Sequence, residues 1–153
     1  MTHQPARDSF AANSAIIPRG VAHLALAGPV RTREFAFLTL PRFTLLAFSS
    51  AVDPLRIANQ LTQRPLYHWR VVSLDGRPAE SSAGIRIEAD QGLVPLGRDT
   101  TVIVCSGTDA TQAADRKALA WLRDHSRRGG VLGAVCTGAY TLARAGLLDG
   151  DAT

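Results

Sequence analysis

The sequence predicts an α/β fold in which a parallel sheet carries helices on both faces. Two observations predict it. Short, predominantly apolar runs (Phe35–Leu40, Thr101–Cys105 and Val131–Val135) alternate with longer segments whose apolar residues recur at helical spacing. The runs also lack the in-out alternation of a sheet with one wet face, so each strand is expected to be covered on both sides.

The elements follow in chain order. Residues 1–33 mix Pro5, Pro18, Gly20, Gly28 and Pro29 with small residues and show no sustained period, which predicts a flexible leader. Within it, the short apolar stretch Val21–Ala27 suits a turn of helix or an edge strand. An ordered domain is expected over 34–153. Its first strand runs from Phe35 to Leu40 and stops at Pro41. A helix follows, on which Leu45, Phe48, Val52, Leu55 and Ala58 share one face. Pro54 either kinks that helix or opens its second part behind an Asp53 cap. Tyr67–Leu74 is a second strand, closed by Asp75-Gly76, and the alternation of Ile85 and Ile87 with Arg86 and Glu88 predicts an exposed or edge strand over 84–89. After the strand Thr101–Cys105, residues 111–128 read as a helix with Ala118, Trp121, Leu122 and His125 on its apolar stripe and Gly129-Gly130 as its stop. Val131–Val135 is the last strand, and Gly138–Ala145 a short helix capped by Gly146.

Composition narrows the function classes. Apolar residues make up 46% of the 153 positions and charged residues 20%, which fits a globular chain and excludes wholesale disorder. No apolar run approaches the roughly 20 residues of a membrane-spanning helix. The leader holds Arg7, Arg19, Arg31 and Arg33 against Asp8, so most of the net charge of +4 resides there. The nearly neutral body offers no broad basic surface for nucleic acid. Cys105 and Cys136 form no Cys-x-x-Cys pair and no signal-peptide core precedes them, so a reducing cytoplasm is the expected compartment. No His, Cys, Asp or Glu spacing suits a metal, and neither a dinucleotide nor a phosphate-loop fingerprint occurs, so no cofactor is expected.

The most informative stretch is Gly133-Ala-Val-Cys136-Thr-Gly138-Ala139. A strand ends, a nucleophilic side chain follows at once, and a helix begins. Ala134 stands two residues before Cys136; Gly138 and Ala139 stand two and three after it. Small residues at those positions suit a nucleophile elbow, a turn too sharp for bulky flanks. Cys136 would then sit at the carboxyl edge of the sheet against a helix amino terminus, which favours its thiolate. The Thr137 amide is one expected oxyanion donor, and Gly107, closing the preceding strand, is another. A nucleophile also needs a base. His3 and His23 lie in the leader, His68 in the second strand and His125 on a packed helix, so no Cys-His pair can be assigned.

The ordered motifs FAFLTLPRFTLLAFSSAVDPLRIANQL, VIVCSG and GAVCTGAYTLARAGLLDG resemble GlxA-type regulators of the AraC class. The resemblance covers residues 34–153 and implies a ThiJ/PfpI, class I glutamine-amidotransferase-like (flavodoxin-like) domain. In such regulators this domain senses a small molecule and dimerises, while a C-terminal pair of helix-turn-helix units binds DNA. SSAVDPLRIAN most resembles the branch responding to amino acids and quaternary amines. Enzymes of the superfamily pair the elbow Cys with an acidic residue and often a His. By that resemblance Cys136 holds the nucleophile position, Ala47 the acidic position, and Thr137 the place where many enzymatic relatives have His.

The expectation is therefore a degenerate, non-enzymatic sensor domain with an effector site around Cys136, Thr137, Gly107 and Ser106. Its expected partners are a small-molecule effector and a second copy of itself, with no membrane contact. DNA contact is expected only through a C-terminal domain absent from these 153 residues, whose sheet would be incomplete at Thr153. The alternatives are a Cys-dependent hydrolase acting through Cys136, or a nonfunctional gene fragment.

Overall fold

The computed structural model describes residues 22–148. Four parallel strands form the main sheet: β1 (Arg33–Thr39), β2 (Tyr67–Val72), β5 (Thr100–Cys105) and β6 (Leu132–Val135), in the order β2-β1-β5-β6. A two-stranded antiparallel ribbon, β3 (Ala79–Glu80) with β4 (Arg86–Ile87), lies outside it. The helices are α1 (Leu45–Thr62), α2 (Ala110–Ala113), α3 (Arg116–Arg127) and α4 (Gly138–Arg144).

Side-chain alternation along the strands builds two apolar layers. Phe37, Cys105, Trp69, Val71, Ile103 and Val135 pack with Phe43, Phe48 and Leu55, so α1 covers one face. Ala36, Leu38, Val102, Val104 and Ala134 pack with Ala118, Trp121, Leu122 and Leu142, so α3 and α4 cover the other. The fold class is thus the one the sequence predicts. The chain leaves β1 toward β2 over one face and leaves β5 toward β6 over the other. The paths diverge between neighbouring β1 and β5, and the carboxyl ends of strands at such a divergence are where open α/β sheets bind ligands.

Several local expectations change. Residues 22–27 hold neither helix nor strand; instead the Leu24 N–H bonds the Leu61 carbonyl at 2.8 Å and Arg64 reaches the carbonyls of Leu26 and Gly28. Val21 lies outside the described residues. α1 runs unbroken through Pro54, because Pro54 and Ser50, whose carbonyl it leaves without an intrahelical donor, are both exposed to water. Asp53 is no cap and pairs instead with Arg56 at 2.9 Å. Edge strand 84–89 shrinks to β4. The helix expected over 111–128 is divided at Ala114-Asp115, where the Asp115 carboxylate accepts from the Ala118 N–H at 2.8 Å and starts α3 anew. Past α4, Gly146 at φ 69° closes a Schellman turn, its N–H bonding the Ala143 carbonyl and the Leu147 N–H the Leu142 carbonyl.

Candidate functional site

Cys136 follows β6 directly and has φ 54°, the left-handed backbone region that a side chain other than glycine seldom occupies. That conformation is the strained corner of an elbow. Gly138 makes the corner sterically feasible: a Cβ built there would overlap the Val104 carbonyl oxygen and crowd the Ala134 methyl. The elbow read from small-residue spacing is therefore present, and the glycine is there so that α4 can start against β5.

The Cys136 thiol is exposed, and its Sγ lies 3.4 Å from Thr44 Oγ1. Thr44 is the N-cap of the 18-residue helix α1, yet its hydroxyl caps no backbone N–H of that helix. The sulfur thus lies at the amino terminus of α1, whose dipole favours an anion. Its pKa is held below the ordinary thiol value, first by the Thr44 hydroxyl and next by the Thr137 N–H. Both donors stabilise the thiolate more than the thiol. No ionised side chain is among the causes of the shift.

Thr137 and Gly107 stand together, as the sequence suggests, although with altered roles. Thr137 is exposed; its N–H serves the thiol and its hydroxyl donates to the Gly107 carbonyl at 2.7 Å. Gly107 lies against the backbone of the turn 42–44, where a Cβ would overlap the Arg42 carbonyl oxygen and come within 3.0 Å of Phe43. Ser106 is buried: its carbonyl accepts from the Thr44 N–H at 3.1 Å, while its hydroxyl has no partner among the described residues. The ends of β1, β5 and β6 thereby converge through Thr44, Ser106-Gly107 and Cys136-Thr137.

Other residues weighed from the sequence lie elsewhere. Ala47 is one turn past Thr44 on the same side of α1, a partly buried methyl group. His68 sits in β2, with β1 and β5 between it and β6, a lateral offset of roughly 14 Å at about 4.8 Å per strand. His125 is fully buried, stacked on Trp121, with Nε2 2.9 Å from the carbonyl of Thr100, at the sheet end opposite Cys136. Trp69 belongs to the packing under α1. Cys105 is buried, and desolvation pushes its pKa up to about 12, so it is the unreactive thiol of the two. Thr44 was missed in the sequence, because nothing local in PRFTLL marks a threonine that meets a residue so distant in the chain. Among the described residues no group of three or more His, Cys, Asp or Glu could hold a metal ion. No helix among them is long and apolar enough to cross a membrane.

Residues 37–153 match the DJ-1/PfpI family. The HTH-type transcriptional regulator GbdR of Pseudomonas aeruginosa is 47% identical over 118 residues, covering 77% of this chain and 32% of that protein. The HTH-type transcriptional regulator GlxA of Rhizobium meliloti is 39% identical over 119 residues, covering 76% of this chain and 36% of that protein. The chain spans about a third of the length of these curated relatives. Among solved structures, an AraC family transcriptional regulator from Pseudomonas putida is similar with a TM-score of 0.64 at 28% identity, over 76% of this chain and 63% of that one. A ThiJ/PfpI family protein from Pseudomonas syringae gives a TM-score of 0.64 at 27% identity, over 79% and 49%.

Proposed function

The chain belongs to the DJ-1/PfpI family, and from that premise we propose that it is the small-molecule-sensing domain of a transcriptional regulator. The observation that carries this reading is the composition of the elbow. Cys136 has hydroxyl and amide neighbours in Thr44 and Thr137, and Ala47, the position that the family resemblance gives to the acid of enzymatic members, carries only a methyl group. A thiol without a positioned acid or base binds and orients better than it turns over.

The effector is a small amino acid or quaternary amine, seated at the carboxyl ends of the strands around Cys136, Thr137, Gly107 and Ser106. Ligand would stabilise one arrangement of the three strand ends. In a complete regulator that preference biases the dimer and, through it, the DNA-binding segment. Thermal unfolding of the chain against a panel of amino acids and quaternary amines tests this. A true effector at about 100 times its Kd adds about 2.7 kcal/mol, a Tm rise of roughly 5–10 °C for a domain of this size. A panel with no such rise would remove the sensor reading.

A second reading, a Cys-dependent hydrolase, is favoured by the lowered Cys136 pKa. It requires conversion of a bound amide or adduct, with loss of turnover in Cys136→Ala.

A further inference from the structure

We propose that the outer face of α3, with the end of α4 beside it, is a contact surface for the phosphate backbone of duplex DNA. The near neutrality of the body hides a segregation of charge. Residues 34–114 hold seven Arg against eight Asp or Glu, while residues 115–144 hold six Arg or Lys against two Asp. The basic surface that the sequence sum excludes is therefore present on one helical layer.

Helix geometry gathers these cations. Arg116, Ala120, Arg123 and Arg127 are exposed and stand at i, i+4, i+7 and i+11, one stripe about 16 Å long at ~1.5 Å per residue. Arg144 borders it: its Nη1 donates to the Ala114 carbonyl at 3.3 Å, just ahead of α3, and its carbonyl accepts from Arg123 Nη2 at 3.4 Å. Arg123 is held in turn by donation from Nε to the Ala145 carbonyl at 2.8 Å. These acceptors are neutral, so they fix the guanidinium groups without cancelling their charge. Among the described residues, Arg116, Arg123, Arg127 and Arg144 form no ion pair with a carboxylate. The layer's own carboxylates are taken: Asp115 caps α3 through the Ala118 N–H, and Asp124 pairs with Arg128 at 3.0 Å.

The face suits a polyphosphate chain better than other anionic partners. A protein interface is built round aromatic and aliphatic anchors, and α3 exposes no large apolar side chain: Leu119, Trp121 and Leu122 are buried. A lipid surface takes a helix by its apolar face, and that face of α3 is turned to the sheet. A row of guanidinium groups with N–H donors to spare matches phosphates spaced along a duplex. Under the regulator reading above, on which this assignment rests, a DNA-binding segment brings a duplex beside the domain. The contact reads no sequence; it adds affinity and fixes orientation.

Fluorescence anisotropy tests the proposal, with a labelled duplex of arbitrary sequence, about 20 base pairs long, titrated with the full 153-residue chain at several NaCl concentrations. Saturable binding is expected, with a Kd of about 10⁻⁴ to 10⁻⁶ M that weakens steeply with salt. The double variant Arg116→Gln/Arg127→Gln removes no hydrogen bond to another element. It should reduce the log–log salt slope by about 1.8, the share of two phosphate contacts, and weaken binding about tenfold or more at low salt. Should it fail to fold, Arg116→Gln alone serves, with a slope change of about 0.9. No saturable binding at about 50 mM salt with up to roughly 100 µM chain would overturn the surface. So would an unchanged slope in the folded variant, or binding lost in Arg7→Gln/Arg19→Gln and kept in Arg116→Gln/Arg127→Gln, which would assign it to the leader. Poly-L-glutamate competing as well as unlabelled duplex would replace DNA with an acidic protein, and binding to anionic phosphatidylglycerol vesicles in place of duplex would replace it with a membrane. The sensor reading is decided separately by the thermal panel: an effector-induced Tm rise without these DNA contacts would remove this surface alone.

Discussion

Thr44 and Cys136 are 92 residues apart in sequence, yet Oγ1 of one and Sγ of the other are 3.4 Å apart. The helix that begins at Thr44 and the elbow that holds Cys136 leave different strands, and the hydroxyl joins them. Thr44→Val keeps the shape and removes the donor, so the thiol pKa should rise toward the reference value of about 8.5. Iodoacetamide alkylation at neutral pH should slow accordingly. An unchanged pH-rate profile would show that this contact does not tune the thiol.

The two cysteines should separate cleanly in a labelling experiment. Cys136 is exposed with a lowered pKa; Cys105 is buried with a pKa of about 12. Native protein should take up one equivalent of reagent, at Cys136, as read by peptide mass mapping. Unfolded protein should take up two.

Cys105 also implies a pH dependence. Its folded pKa lies above the unfolded value, so the neutral thiol is the folded form and the unfolded chain ionises first. Stability is retained below about pH 9 and falls by up to about 1.4 kcal/mol per pH unit from there to about pH 12. Cys105→Val should flatten that alkaline limb in urea unfolding. A limb of the same slope in the variant would assign it to other groups.

The glycines at the strand ends make a steric prediction. Gly107→Ala and Gly138→Ala each set a methyl group against a fixed carbonyl oxygen, of Arg42 and of Val104. Each should cost on the order of 3 kcal/mol or prevent folding. Gly84→Ala, at φ 75° with open space around it, should cost only about 1 kcal/mol. Chemical denaturation of the three variants measures the contrast.

Much of this architecture could be read from the sequence because it rests on local patterns. The apolar strands, the Trp121-His125 stripe and the Gly146 cap depend on neighbours within a few residues. So does the elbow, whose small flanks at Ala134 and Gly138 are dictated by one turn. What was not legible depends on distant partners. Whether Pro54 breaks α1 depends on the exposure of Ser50. Asp115 acts as a cap because α3 packs on the sheet, and Thr44 meets the thiol only once β1 and β6 share a sheet.

The central claim is that the elbow binds an effector without transforming it. The most direct measurement follows the alkylation rate of Cys136 while amino acids and quaternary amines are titrated in, with each compound analysed afterwards. One of them should protect the thiol saturably and be recovered unchanged. Conversion of the protecting compound, or an alkylation rate that none of them alters, would contradict it.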